Sequence, residues 1–322
     1  MKNLIVILGV GRSGTSLLQS MIGAHPSVVS IPETSFIRRY ICSIKNSFKK
    51  DISKNEVFNF LESDKRLKRL DQKLDKVFSN LTPPKKNVTS TFLDIYRELL
   101  KSNLSSDHKM ICDKDPKLIE FIPVVTKIPC KKIILLIRDP RDVLLSKKKA
   151  KWSRGRPSVM HIITGFIQFE LFIASQNLEN KDLIYTILYE DLLDNPSKSL
   201  TELCNFLEIE FDKTMLNFGH YSEHLVSDDE YSWKKETLGP LLTNNTNKWE
   251  GNLKNWEVAI IERLSGNIFT KGKYKKSNIF SDLDIFTKSG VSIFCFFIYI
   301  FKPCIIILFK LRNKWISKKI LS

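Results

Sequence analysis

The chain opens on a continuous apolar run, Leu4 to Leu8, closed by Gly9. From Ser13 to Ala24 the apolar positions Leu17, Leu18, Met21 and Ile22 then recur at helical spacing. That succession predicts strand, glycine turn and helix. A second run, Lys132-Ile133-Ile134-Leu135-Leu136-Ile137, stops abruptly at Arg138-Asp139-Pro140-Arg141-Asp142 before another helical stretch, and a third strand is expected over Leu183 to Leu188. Unbroken apolar strands alternating with helices imply a parallel sheet covered on both faces. In such sheets ligands gather at the carboxyl ends of the strands.

Two regions depart from this rhythm. From about residue 51 to 100 the pattern is helical and heavily charged, with Val57, Phe60, Leu61, Leu67, Leu70, Leu74 and Val77 before a break at Thr82-Pro83-Pro84, then Phe92, Ile95, Tyr96 and Leu99. It reads as a helical insertion over about 45–110 within a domain of residues 1–275. Residues 276–322 form a basic, apolar tail: Val291 to Phe301, then Lys302-Pro303, then Cys304 to Phe309. Together these runs are about long enough to span hydrocarbon. Lys302 near the middle would cost about 3 kcal/mol, against about 0.3–0.6 kcal/mol gained from each of more than a dozen Ile, Leu, Phe and Val residues. A marginal span, a helix pair lying in the interface, and a helix pair packed on the domain or on a partner chain all remain open, with membrane contact expected through residues 289–312.

Net charge is +16, but from Lys271 onward eleven Lys and Arg face two acids, so more than half the excess lies in the tail. The body is then mildly basic. It shows no aromatic-interleaved basic stripe, and no nucleic-acid partner is expected. The six cysteines are scattered, with no C-x-x-C pair and no His at metal spacing, which argues for a reducing compartment and against a metal. The opening run is too short for a signal peptide, so the expected location is cytoplasmic, with membrane association through the tail.

Candidate chemistry begins at Gly9-Val10-Gly11-Arg12-Ser13-Gly14-Thr15-Ser16, set between strand and helix as a phosphate-cradling loop requires. Its glycines let successive backbone N–H groups and the helix N-terminus face an anion. The spacing is that of a Walker loop, with Thr15 where the lysine should be. A nucleoside triphosphatase uses that lysine on its β- and γ-phosphates, so its loss weighs against kinase chemistry. A ligand with one phosphate and one sulfate carries less charge there, and Arg12, Ser13, Thr15 and Ser16 suit it. The fold class expected is thus α/β, a P-loop-like parallel sheet flanked by helices. A second anion signal is Arg138 at a strand end with Ser146 about two helical turns on; taken alone, the Arg138 to Asp142 cluster is more often a helix-capping salt-bridge cluster.

Together these segments resemble the nucleotide-sulfate sulfotransferases, and most of all the protein-tyrosine sulfotransferases and their bacterial relatives. The resemblance spans roughly residues 4 to 275 and is dense only in patches. It implies that Gly11, Arg12, Ser13, Gly14, Thr15 and Ser16 hold the 5′-phosphosulfate of 3′-phosphoadenosine-5′-phosphosulfate (PAPS), and that Arg138 and Ser146 hold its 3′-phosphate. Ile31-Pro32-Glu33-Thr34 is similar to the family's acceptor-side segment, which makes Glu33 the general base. Asp113-Lys114-Asp115-Pro116 resembles the family's K-D-P segment; Lys114 then stabilises the leaving phosphate, with Arg12 opposite. Tyr189-Glu190-Asp191-Leu192 matches another segment, implying a nucleotide contact from Tyr189 and helix capping by Glu190 and Asp191. Asn247-Lys248-Trp249 resembles the segment that closes the site, placing Lys248 on the cofactor. Two positions depart: Asn247 stands where tyrosine-specific members carry serine, and Ala150 where they place a further 3′-phosphate arginine, with Lys149 and Lys151 alongside. The resemblance implies a sulfotransferase acting on a hydroxyl of a glycan, lipid or protein, with no metal. The alternatives are a P-loop phosphotransferase and a non-catalytic, membrane-tethered nucleotide-binding protein. No residue pattern identifies the acceptor.

Overall fold

In a computed structural model of the chain, the structure describes residues 3–42, 58–59, 61–64, 66–70, 77, 88–101, 109–126, 130, 132–150, 155–175, 181–226, 231, 238–271 and 274–321. Five strands, β1 (Leu4–Gly9), β2 (Val28–Ser30), β3 (Met110–Lys114), β4 (Lys132–Ile137) and β5 (Ile184–Leu188), form one sheet in the order β2-β3-β1-β4-β5. Every pairing is parallel, with Val6 beside Asp113 on one side and Ile133 on the other. The parallel sheet expected from the apolar runs is therefore present.

Alternation within the strands divides the core. Leu4, Val6, Leu8, Ile133, Leu135 and Ile137 face one layer, where Phe36, Tyr40, Phe92 and Tyr96 cluster; Tyr96 lies on helix α2 (Val88–Lys101). Ile5, Ile7, Ile134 and Leu136 face the other, packing on Leu17, Leu18, Met21 and Ile22 of helix α1 (Thr15–Gly23). A third cluster joins helices α3 (Pro140–Lys149), α4 (Ser158–Ser175) and α7 (Asn255–Leu264) to the C-terminal helix α8 (Ile285–Leu321). Helices α5 (Tyr189–Asp194) and α6 (Pro196–Leu207) follow β5, and Leu192, Leu193, Leu200 and Leu203 join the second layer.

Two strands lay outside the sequence expectation. β2 has only three residues, and β3 reads Met-Ile-Cys-Asp-Lys, with Asp113 and Lys114 each only 1% exposed. Polar side chains at the end of a fully buried strand defeat any apolar-run criterion. Most of the expected insertion over 45–110 lies outside the described residues, including Val57, Phe60, Leu74 and the Thr82-Pro83-Pro84 break. Its described parts, a 3-10 turn at Leu67–Leu70 and α2, are helical. Of the arrangements left open for the tail, the helix pairs are not formed: α8 runs unbroken through Pro303. Its stretch Ile285–Phe309 is long and apolar enough to cross a membrane.

Candidate active site

The glycine loop leaves β1 and enters α1 through two left-handed residues, Arg12 (φ 78°) and Gly14 (φ 95°). Ser13 N–H donates to Val10 O at 3.0 Å, closing the turn. A Cβ on Gly14 would run into the ring of Tyr189, so glycine is required there for space as well as for its backbone angle. Tyr189, the first residue of α5, thus forms the wall against which the loop is pressed.

Arg138 leaves the carboxyl end of β4 and lies across the same wall, its guanidinium carbon 4.2 Å from the centre of the Tyr189 ring. It donates to Arg12 O at 3.4 Å and to Asn245 O at 2.8 Å, while its buried Nε has no hydrogen-bond partner among the described residues. Asn245 Nδ2 donates in turn to the Tyr189 hydroxyl at 2.8 Å. Arg12 Nε donates to Ser146 Oγ on α3 at 3.0 Å, across 134 residues of chain. Arg12, Arg138, Ser146 and Tyr189 therefore surround one region beside the loop. A buried N–H without an acceptor there suits an anion.

The opposite side of the loop is supplied by β3. Lys114 Nζ donates to Ser16 Oγ at 3.3 Å and is ion-paired with Glu33, which follows β2. The loop has Thr15, 4% exposed, at the position where a Walker lysine would sit, and an ammonium enters from a neighbouring strand. Just beyond Lys114, Asp115 is held by Arg38 at 2.7 Å and caps the following 3-10 turn through Lys117 N–H.

The Arg138 to Asp142 cluster divides between two tasks. Asp139 caps α3 and pairs with Arg141 at 2.6 Å; Arg141 also reaches Glu262 at 2.7 Å and lies 3.9 Å over the Trp249 ring. Asp142 accepts from Trp249 N–H at 2.9 Å. These contacts pin the segment after residue 245 against α3, leaving Arg138 to face the loop. Glu190, expected as a helix cap, instead accepts from Asp139 N–H at 3.0 Å and from the Tyr274 hydroxyl at 2.8 Å, and burial raises its carboxyl above the usual range. Lys248 lies exposed, and among the described residues its amine contacts none of these groups. Lys149 is exposed too, Ala150 is buried at the end of α3, and Lys151 is outside the described residues. Asn245 was missed from sequence, because nothing marks it among the neighbouring asparagines of Asn244-Asn245-Thr246-Asn247.

Next to Lys114, the buried Asp113 carboxyl is pushed up to about 7, chiefly by loss of water and despite the phenol of Tyr96 donating to it. A carboxyl with a raised folded-state pKa holds its proton more tightly in the folded chain than in the unfolded one. Its stabilising share is therefore complete below the ordinary value of 3.8 and drains as pH climbs to about 7. Melting temperature should fall over that window in the wild type and stay flatter in Asp113→Asn, the variant gaining on the order of a few kcal/mol relative to wild type near neutrality. Parallel profiles for the two proteins in a pH series of thermal melts would reject this account.

Against known proteins, a model of the sulfotransferase family matches residues 4–213, almost two thirds of the chain. The chain belongs to the sulfotransferase family. Among curated relatives of this sulfotransferase chain, protein-tyrosine sulfotransferase 1 of Danio rerio is 26% identical over 264 residues, covering 78% of this chain and 66% of that protein. Protein-tyrosine sulfotransferase 2 of Gallus gallus is 24% identical over 265 residues, covering 78% and 64%. The chain thus spans just under two thirds of these relatives' own length. Among solved structures, the sulfotransferase domain of the Synechococcus PCC 7002 olefin synthase superposes with a TM-score of 0.61 at 21% identity, covering 84% of this chain and 94% of that one. The sulfotransferase domain from the curacin biosynthetic pathway gives 0.57 at 17%, covering 86% and 99%. At such identities these two establish a shared fold. The sulfotransferase match covers β1, the glycine loop, Glu33, Lys114, Arg138, Ser146 and Tyr189, and ends before Asn245 and Lys248.

Proposed function

We propose that this chain transfers the sulfuryl group of PAPS to an acceptor hydroxyl. The observation that supports the reading is the contact of Arg12 with Ser146, which brings the glycine loop beside the strand-end pair. The loop amides, Arg12, Ser13, Thr15 and Ser16 would hold the 5′-phosphosulfate. Arg138 and Ser146 would hold the 3′-phosphate, with Tyr189 against the nucleotide and the exposed Lys248 as a further cofactor contact. Glu33 takes the acceptor proton as the acceptor oxygen bonds to sulfur. The bond from sulfur to the 5′-phosphate oxygen breaks, and Lys114 and Arg12 offset the charge gathering on that phosphate. The products are a sulfate ester and adenosine 3′,5′-bisphosphate. The relatives named protein-tyrosine sulfotransferases favour a hydroxyl acceptor. The setting belongs to the same proposal: a cytoplasmic enzyme associated with a membrane through its C-terminal helix.

The test is transfer of radiolabelled sulfate from PAPS to pooled glycan, lipid and peptide acceptors, beside a parallel assay with labelled ATP. Sulfate incorporation is expected; phosphate transfer with no response to PAPS would replace the proposal with a phosphotransferase. Tight nucleotide binding with no turnover on any acceptor would favour a non-catalytic module. Arg138→Ala removes two charge-assisted donors from the 3′ side and should raise the Kd for adenosine 3′,5′-bisphosphate by about 10–100-fold. An unchanged Kd by calorimetry would remove Arg138 from the nucleotide site.

A further inference from the structure

Helix α8 is apolar on two opposite sides, and only one of them is covered by protein. On the covered side Val291, Cys295 and Ile298 are buried against the third core cluster, with Phe294, Ile305, Ile306 and Phe309 packed around it. The Tyr299 hydroxyl donates to the carbonyls of Arg263 and Leu264, at 2.9 and 3.2 Å, and so satisfies the open end of α7. Lys302 pairs with Glu170 of α4 at 2.8 Å, and Phe166 of α4 meets the Tyr299 ring edge-on. The docked face therefore runs from Val291 to Phe309.

On the other side Phe286, Ile293, Phe296, Phe297, Ile300 and Phe301 stand open, Phe286 at 86% and Phe296 at 61%, and the band continues through Leu308 and Leu311. It holds two bulky residues per turn, wider than the narrow seam of a paired coiled coil. From Ile285 to Leu321 the helix carries seven Lys and Arg and no acid. Two copies of it laid together would repel, whereas a negatively charged lipid surface would attract each one. Crossing the bilayer would require either abandoning the docked face or drawing α4 and α7, with Glu170, Glu262 and Arg263, into hydrocarbon.

We infer that α8 lies in the plane of an anionic membrane surface, its outer band in the lipid and its inner face still docked on the domain. The inference rests on the membrane assignment above and is independent of the sulfate donor. Full-length protein should float with phosphatidylcholine vesicles containing phosphatidylserine and bind pure phosphatidylcholine about tenfold or more weakly. Phe296→Glu/Ile300→Glu should abolish flotation with an unchanged melting profile, because both side chains are exposed. Cys304, on the exposed side, should lose reactivity toward a charged, water-soluble maleimide when vesicles are added. A C-terminal epitope tag should stay open to protease added outside the vesicles; a protected tag would mean that the helix spans. Failure to float, or flotation that survives the double substitution, overturns the inference. So does a concentration-dependent dimer, broken by the same substitutions, in a protein that ignores vesicles. An inactive protein that floats would count against the donor reading alone, and an active one that does not float against this inference alone.

Discussion

Replacing Glu33 by glutamine is expected to lower kcat for sulfate transfer by about 10²–10⁴, the usual contribution of a positioned general base, while the Kd for adenosine 3′,5′-bisphosphate stays within about twofold of wild type. Glutamine keeps an oxygen for Lys114 to donate to but cannot take a proton. Glu33→Ala makes a harsher change. Lys114 has a side chain only 2% exposed, so losing both the counter-charge and the oxygen acceptor of Glu33 costs about 3–5 kcal/mol of stability, where glutamine at least keeps an acceptor. Kinetics of the two variants, read beside their melting temperatures, separate lost chemistry from lost structure. Glu33→Gln turning over at the wild-type rate would remove it as base.

Lys114→Ala should reduce kcat by about 10²–10³, as expected when one charged group facing a developing anion is removed. Its effect on folding should be smaller than that of Glu33→Ala, because the remaining Glu33 side chain is 20% exposed and can recover water. The two residues are in contact, so the double variant should lose far less than the product of the single losses. Independent, multiplicative losses would mean that the pair does not act on one reacting group.

The main scaffold was legible because β1, β4 and β5 announce themselves as apolar runs and the glycine loop sits where strand becomes helix. β3 was not, since its sheet-forming residues end in Asp113 and Lys114, whose burial depends on Tyr96 and Glu33, partners far away in sequence. Arg138 and Ser146 stood out as a strand-end anion signal, Glu33 and Lys114 were named through resemblance, and the geometry brings all four beside the loop. Lys248 was named on the resemblance too, yet it lies exposed and, among the described residues, touches none of these groups. The role of Asn245 depends on a loop folding back across the site, which no local pattern encodes. For the tail, composition alone left three arrangements open. The single helix that forms is docked through individual contacts, Tyr299 on α7 and Lys302 on Glu170, that carry no periodic signal.

The order of the strands has a practical corollary. β1 is central, with Lys114 on the strand to one side and Arg138 on the strand to the other. On the proposed roles, bond breaking and grip on the nucleotide would fall to separate neighbours of a common spine. The two sides meet at the glycine loop, where Arg138 touches the Arg12 carbonyl and Lys114 touches Ser16, so a change that shifts the loop would be felt by turnover and by nucleotide release alike.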